Sequence, residues 1–277
     1  MEQSPLSPGL YIVATPIGNL NDLSFRAANI LKQAALVAVE DTRVTGKLLK
    51  HIGSDAPMIR YDEHQGDRTL PEILQRAESG PVALVSDAGT PLISDPGYRL
   101  VTAARAAGIP VFAIPGPSAA IAALSISGLP TDRFLFMGFL PPKAGARKAA
   151  LAEVADLRTT LVFYETGKRL AAFLADAHDV LGPRDTRAAR ELTKLHEECV
   201  AFRLGAVPDL ETRGEFVIVV GPPERSESPS EADIDAALGA ALEGGSVKDA
   251  VAAVTGALGV PRKQVYERAL ALKAESR

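Results

Sequence analysis

Between residue 10 and about residue 115, short β-type apolar runs alternate with helix-type segments, and few architectures accept that rhythm. The runs fall at residues 10–14, 36–39, 58–61, 82–85 and 111–114. Helices are predicted to begin at Ser24, Thr45 and Thr69, and the segment after Asp95 and Pro96 reads as a helix ending at Gly108. Strand and helix in strict alternation predict a parallel sheet covered by helices on both faces. Pro115, Gly116 and Pro117 then break the rhythm and form a candidate hinge. After a helix ending at Gly128, the runs at 134–137, 160–164, 199–202 and 216–220 are longer and closer together, which suits a mixed α/β arrangement. The expected division is an N-terminal α/β domain with a parallel sheet over 1–115, a mixed α/β domain over 116–222, a linker over 223–228 and a helical extension over 229–277. The extension could pass for a small helix-turn-helix, but three short helices more often serve packing or dimerisation, so no DNA partner is expected.

Composition narrows the classes further. With 277 residues, 47% of them hydrophobic, the chain can bury two cores. A formal net charge of -4 supplies no global basic field, so any nucleic-acid contact must come from local patches. Cys199 is the single cysteine, which excludes an internal disulfide framework and a cysteine-rich zinc site and fits a reducing compartment. No basic region precedes an apolar stretch near Met1, and no run reaches the roughly 18 apolar residues of a membrane span, so the expected location is cytoplasmic, without membrane contact.

The chemistry concentrates in residues 86–97 (SDAGTPLISDPG), which hold two aspartates, two glycines and two prolines between an apolar run and a helix. This loop lies at the carboxyl end of a strand, the edge where open α/β sheets bind ligands. Gly89 permits close approach of backbone to ligand, while Pro91 and Pro96 stiffen the path. An ordinary βα turn would need fewer special residues. Neither the dinucleotide fingerprint GxGxxG nor the P-loop pattern occurs. His51, His64, His178 and His196 are scattered, so no metal site is expected, and no GxSxG nucleophile elbow is present.

Four segments would meet at the ligand edge: 14–19 (ATPIGN), 40–43 (EDTR), 86–97 and 115–119 (PGPSA). Together with 128–134 (GLPTDRF), 138–143 (GFLPPK), 163–165 (FYE) and 189–194 (ARELTK), in order along the chain, they closely resemble the tetrapyrrole methylase superfamily, in its RNA-modifying branch. Many relatives acting on tetrapyrroles carry Gly-Asp-Pro where this chain has Gly89, Thr90 and Pro91, a departure that favours that branch. The resemblance implies two α/β domains of the tetrapyrrole methylase type with the cofactor cleft between them. It implies 2'-O-methylation, dependent on S-adenosyl-L-methionine, of a cytidine ribose in the decoding region of 16S ribosomal RNA, by a homodimer acting on the small ribosomal subunit. It assigns cofactor binding to Thr15, Pro16, Asp87, Gly89, Thr90, Ile93, Ser118, Ala119 and Tyr164. Carboxylates, hydroxyls and backbone carbonyls suit a sulfonium, an amino acid head and a ribose diol, while apolar residues can hold an adenine.

Methyl transfer to a ribose hydroxyl is an in-line displacement in which placement supplies much of the rate and a general base could add about 10² to 10⁴-fold. Asp41, His64 and Glu165 are the candidate bases. Each has a competing structural reading: Asp41 as a helix cap, Glu165 as a partner of Lys168 or Arg169, His64 as a solvated loop residue. Arg43, Lys47, Lys143, Arg147, Lys148, Arg169 and Arg190, on loops or helix starts, could form a phosphate-binding rim if they line one face, and are otherwise solvated surface charge. With 5% aromatics and no tryptophan, a folded RNA or assembled particle read by shape is the more natural substrate than an extended single strand. The competing activities are methylation of a tetrapyrrole or corrin small molecule, a non-catalytic RNA or adenosyl-ligand binding protein and, more weakly, a DNA-binding regulator working through the tail.

Overall fold

The computed structural model describes residues 5–62, 66–224, 230–242 and 246–275. The chain forms two compact units, Met1–Pro223 and Glu224–Arg277. Among the described residues, no helix is long and apolar enough to cross a membrane.

The first half of the larger unit runs β1 (Gly9–Val13), α1 (Phe25–Gln33), β2 (Leu36–Val39), α2 (Thr42–Ile52), β3 (Met58–Arg60), α3 (Gly66–Ser79), β4 (Pro81–Val85), α4 (Tyr98–Ala106) and β5 (Val111–Ile114). Its five strands form a wholly parallel sheet in the order β3-β2-β4-β1-β5. Successive strand residues point to opposite faces. Tyr11, Val13, Val37, Val39, Ala83 and Val85 therefore pack under α1 and α2, and Leu10, Leu36, Ala38, Val82 and Leu84 pack under α3 and α4. Neighbouring β1 and β4 thus send their helices, α1 and α4, to opposite faces. That reversal opens a crevice at their carboxyl ends, the usual ligand position in open α/β sheets.

Ser24 caps α1 by accepting the Ala27 N–H at 3.1 Å. Helix α2 starts at Thr42, three residues before the predicted Thr45, because Asp41 accepts the Arg43 N–H at 2.8 Å and so satisfies one free donor of the first turn.

The second half contains α5 (Ala119–Ile126), β6 (Phe134–Phe139), α6 (Ala144–Ala152), β7 (Thr160–Thr166), α7 (Gly167–Leu181), β8 (Asp185–Arg190), β9 (Glu198–Arg203) and β10 (Glu215–Val220). The sheet order is β6-β7-β10-β8-β9, with β6 parallel to β7 and the other pairs antiparallel, as a mixed α/β domain requires. One face packs on α6 and α7 through Leu161, Phe163, Phe173 and Ile218, and the other packs on α5 through Val162, Ala189, Val217 and Val219. Arg190, expected on a loop or helix start, instead ends strand β8, which is hydrogen-bonded between β9 and β10. The second unit contains α8 (Glu231–Leu242), α9 (Val247–Leu258) and α10 (Arg262–Glu275) around its own core of Ile234, Leu238, Val251, Val254 and Val265.

Candidate functional site

A cavity of about 480 Å³ lies at the β1/β4 switch point and is walled on its far side by the second lobe. From the first lobe come Ile17 after β1, Glu40 after β2, residues 87–90 and 93–95 after β4, and Ser118 and Ala119 at the hinge. From the second come Phe139 of β6, Tyr164 of β7, residues 189–192 and 194 at and beyond the end of β8, and 214–217 at the start of β10.

Backbone and hydroxyl contacts hold the first-lobe loops together. Thr15 and Gly89 exchange N–H···O bonds of 2.8 and 3.1 Å, and the Thr15 hydroxyl donates to the Ser86 carbonyl at 3.1 Å. Thr90 ties the loop to the hinge by donating its hydroxyl to the Pro117 carbonyl at 3.0 Å. Tyr164 reaches across from β7, where its phenolic oxygen accepts the Ala120 N–H at 3.2 Å and its ring meets Phe136 and Phe139 edge-on. Ala120 is in the first turn of α5, whose amides lack intrahelical partners.

Backbone strain is concentrated on the same cavity. Among the described residues, the non-glycine positions with positive φ are Leu92, Ser94, Glu191 and Thr193. They lie in the two loops that face each other across the cleft, and such conformations, costing about 1–3 kcal/mol each, persist where the surroundings over-determine them. The lobes also approach closely. A Cβ on Gly138, which has φ +59 at the bulge in β6, would lie 2.8 Å from the Ser94 hydroxyl, and one on Gly18 would lie 2.6 Å from Cγ of Lys194.

The cavity is acidic, with Glu40, Asp87, Asp95, Glu191 and Glu215 set against Arg190 and Lys194. Burial, then the neighbouring charges of Asp87 and Asp95, push the Glu40 carboxyl above its ordinary range. Burial also raises Asp87, and it raises Asp95 with help from the Asp87 and Glu215 charges. The acids interlock, since Glu40 accepts the Asp87 backbone N–H and the Asp87 carboxylate accepts the Asp41 N–H at 3.2 Å. Among the described residues, no three His, Cys, Asp or Glu side chains are placed to hold a metal ion. A desolvated group of carboxylates here matches an organic cation, whose binding would relieve the cost of keeping them charged.

The candidate residues do not all come to this place. Asp87, Gly89, Thr90, Ile93, Ser118, Ala119 and Tyr164 line the cavity; Thr15 and Pro16 lie behind it, buried, with Thr15 bracing the loop. Asp41 points away to Arg43, whose guanidinium lies 2.5 Å from it and holds the carboxyl down at about 2. So acidic a group is a weak proton acceptor at neutral pH, and the structure corrects the general-base candidacy of Asp41 to that of a helix cap. Glu165 is corrected likewise. It follows Tyr164 along β7 and therefore faces the opposite side of the sheet, where it is fully buried against Arg169 at 3.1 Å. His64 lies outside the described residues.

Of the basic candidates, Arg43, Lys47 and Lys143 are exposed. Arg147 leaves the phosphate rim altogether: it is 4% exposed, donates from Nε to Asp176 at 2.8 Å and from Nη1 to the Pro142 carbonyl at 3.1 Å, and ties α6 to α7. Lys148 pairs with Asp179 at 2.8 Å, Arg169 donates to the Leu140 carbonyl at 2.6 Å, and Arg190 lines the cavity while pairing with Glu198 at 2.7 Å. The cavity residues that sequence reasoning left out as ligands are chiefly Glu40, Asp95, Phe139, Lys194 and Glu215. Glu40 and Asp95 stand inside motifs already singled out, which was the available signal.

A strained, acidic cavity at the switch point of one α/β lobe, closed by a mixed sheet, defines a two-lobed protein with a small-molecule site suited to a cation. The family model for tetrapyrrole (corrin/porphyrin) methylases matches residues 9–208, and that for the RsmI C-terminal HTH domain matches 228–273. A ribosomal RNA small subunit methyltransferase I of Erythrobacter litoralis is 51% identical over 97% of this chain and 97% of its own. One from Xylella fastidiosa is 46% identical over 94% of this chain and 98% of its own. The crystal structure of uroporphyrin-III-C-methyltransferase from Thermus thermophilus superposes with a TM-score of 0.57 at 21% identity, covering 78% of this chain and 94% of that one, and shares the fold. The chain belongs to the tetrapyrrole methylase family, in its ribosomal RNA small subunit methyltransferase I group.

Proposed function

We propose that this protein transfers a methyl group from S-adenosyl-L-methionine to the 2'-hydroxyl of a cytidine ribose in the decoding region of 16S ribosomal RNA, acting as a homodimer on the small subunit in the cytoplasm. The observation that carries this reading is near-full-length relatedness to ribosomal RNA small subunit methyltransferases, 51% identical over 97% of both chains. In this reading the lobes 1–115 and 116–222 are the catalytic body, with 223–228 joining them to a helical extension over 229–277.

The cavity fits the methyl donor. Its volume of about 480 Å³ is within the range for small-molecule sites, roughly 300–1,000 Å³. Glu40 and Asp87 offer negative charge to a sulfonium and an ammonium, Ser118 and backbone groups of 87–90 offer hydrogen bonds, and Ile17, Ile93, Phe139 and Leu192 offer apolar contact to an adenine. When bound, the donor supplies an electrophilic methyl group. The chain's own contribution is placement: the Thr15–Gly89 pairing and the Thr90–Pro117 bond hold the loop, and Tyr164 fixes the start of α5. The exposed Arg43, Lys47 and Lys143 are the remaining candidates for phosphate contact.

Labelled S-adenosyl-L-methionine and small subunits from cells lacking the protein test the reading. A labelled 2'-O-methylcytidine after nucleoside digestion is expected. Label on a base, or no label in RNA together with a labelled tetrapyrrole, would overturn it.

A further inference from the structure

A second cavity, of about 200 Å³, adjoins the first and is lined by Tyr61, Asp62, Asp95, Pro96, Gly97, Tyr98 and Arg99. Asp95 lines both cavities. The second is smaller than a complete small-molecule site and suits a single ring system. Tyr98, 75% exposed at its mouth, offers a face on which a base can stack, and Arg99 adds a guanidinium beside it. Resting on the proposed RNA methylation, we infer that this second cavity seats the acceptor nucleotide and that Asp95, in the wall between the two cavities, touches the reacting 2'-hydroxyl and takes up its proton.

The backbone around Asp95 is built for placement. Ser94 before it has φ +65, Pro96 after it has its φ locked by the ring, and Gly97 has φ +140 and room for no Cβ, since one would lie 2.9 Å from Leu84 and Leu92 side-chain carbons. The Ser86 hydroxyl donates to the Ala88 carbonyl at 3.4 Å, within the loop that carries the Asp95 carboxyl. Burial and the Asp87 and Glu215 charges raise its proton affinity, the direction a base needs. Glu40 and Asp87 share the raised affinity but line the first cavity alone, which assigns them to the donor's charge. The bookkeeping closes: the ribose oxygen bonds to the methyl carbon, the carbon–sulfur bond breaks with its pair left on sulfur, the sulfonium becomes a neutral thioether, and the hydroxyl proton goes to Asp95.

Two variants test this, with wild-type protein methylating small subunits as the reference. Asp95→Asn should lower single-turnover methylation by about 10² to 10⁴-fold. Its calorimetric affinity for S-adenosylhomocysteine, which lacks the sulfonium charge, should stay within about threefold, because the lost contact is made to the acceptor. Tyr98→Ala, at an exposed position, should weaken binding of small subunits without donor about tenfold or more, the value of one stacked base. Methylation by Asp95→Asn at the wild-type rate, loss of S-adenosylhomocysteine binding in step with the rate, or undiminished subunit binding by Tyr98→Ala would each overturn the inference while leaving the proposed function standing. A wild-type protein that labels no RNA would sink the proposed function first.

Discussion

Asp41 and Glu40 are adjacent, yet their environments push them in opposite directions, and that contrast yields two predictions. Asp41 titrates at about 2 in the fold against 3.8 as a free side chain, so its contribution to stability is present above the free value and is lost as the pH falls toward 2. Asn caps helices about as well as Asp, so Asp41→Asn should keep turnover within about threefold of wild type, whereas loss of a general base would cost about 10²-fold or more. Glu40 has the reverse sign. Its raised affinity means that the folded protein binds the proton more tightly than the unfolded chain, so stability falls as the pH rises through its folded range, and a bound cation offsets the loss. Glu40→Gln should therefore melt no lower than wild type at pH 7 without ligand, yet bind S-adenosyl-L-methionine about tenfold more weakly, about 1.4 kcal/mol, with a smaller change for S-adenosylhomocysteine, which lacks the sulfonium charge. Calorimetry with both ligands separates these outcomes, and an equal loss for the two would refute the charge argument. The same adjacency explains what the sequence could and could not reveal about the site. Residue types marked the segments 40–43, 86–97 and 163–165, but which member of Glu40–Asp41 or Tyr164–Glu165 faces the cavity depends on where each strand exits the sheet and on the period of two along it. Asp41 and Glu165 were candidates by chemistry and lost by parity.

Elements of the first lobe were legible because a parallel strand buried on both faces must be apolar throughout, and 36–39 and 82–85 are just that. β8, with the sequence DTRAAR, carries no such run, and its place beside β10 comes from ladder bonds and from Arg190 pairing across to Glu198 on β9. Arg147 was misleading for a related reason. A basic cluster at 143–148 looks like surface charge, but on α6 the side chain of residue 147 turns inward onto Asp176 of α7 while Lys143 and Lys148 remain at least half-exposed or at the rim. Arg147→Ala should destabilise the protein by about 3 kcal/mol in urea unfolding, since removing one partner strands the other. The value sits at the low end of such losses because Lys148 lies 3.4 Å from the same carboxylate. A change below about 0.5 kcal/mol would mean the pair is solvated rather than structural. At Gly138, alanine meets both an unfavourable φ of +59 and the Ser94 hydroxyl at 2.8 Å. Gly138→Ala should cost about 1–2 kcal/mol of stability and, by pushing the bulge of β6 away from the 86–97 loop, weaken donor binding more than it weakens folding.

Across the whole molecule, folding cores and site separate cleanly along the chain. Among the described residues, the four cores of the larger unit draw on none beyond Val220, the donor cavity on none beyond Val217, and the core of the smaller unit runs from Ile234 to Ala269. A chain ending at residue 223 should therefore fold and bind S-adenosylhomocysteine within about twofold of the full protein, since a compact unit with its own core is able to fold alone. The segment 224–277 contains the match to a helix-turn-helix family model over 228–273, yet it holds seven Lys and Arg against nine Asp and Glu. Phosphate contacts release counterions and steepen the salt dependence of binding by about 0.7–0.9 per phosphate neutralised. A net acidic segment is poorly suited to supply many of them, so the slope of log affinity for small subunits against log salt should differ by less than about one between the truncated and full chains, even if absolute affinity falls through lost shape contacts. A slope shallower by two or more in the truncated protein would instead assign phosphate reading to the helical segment, and would move the RNA-binding surface away from the exposed Arg43, Lys47 and Lys143 of the lobes.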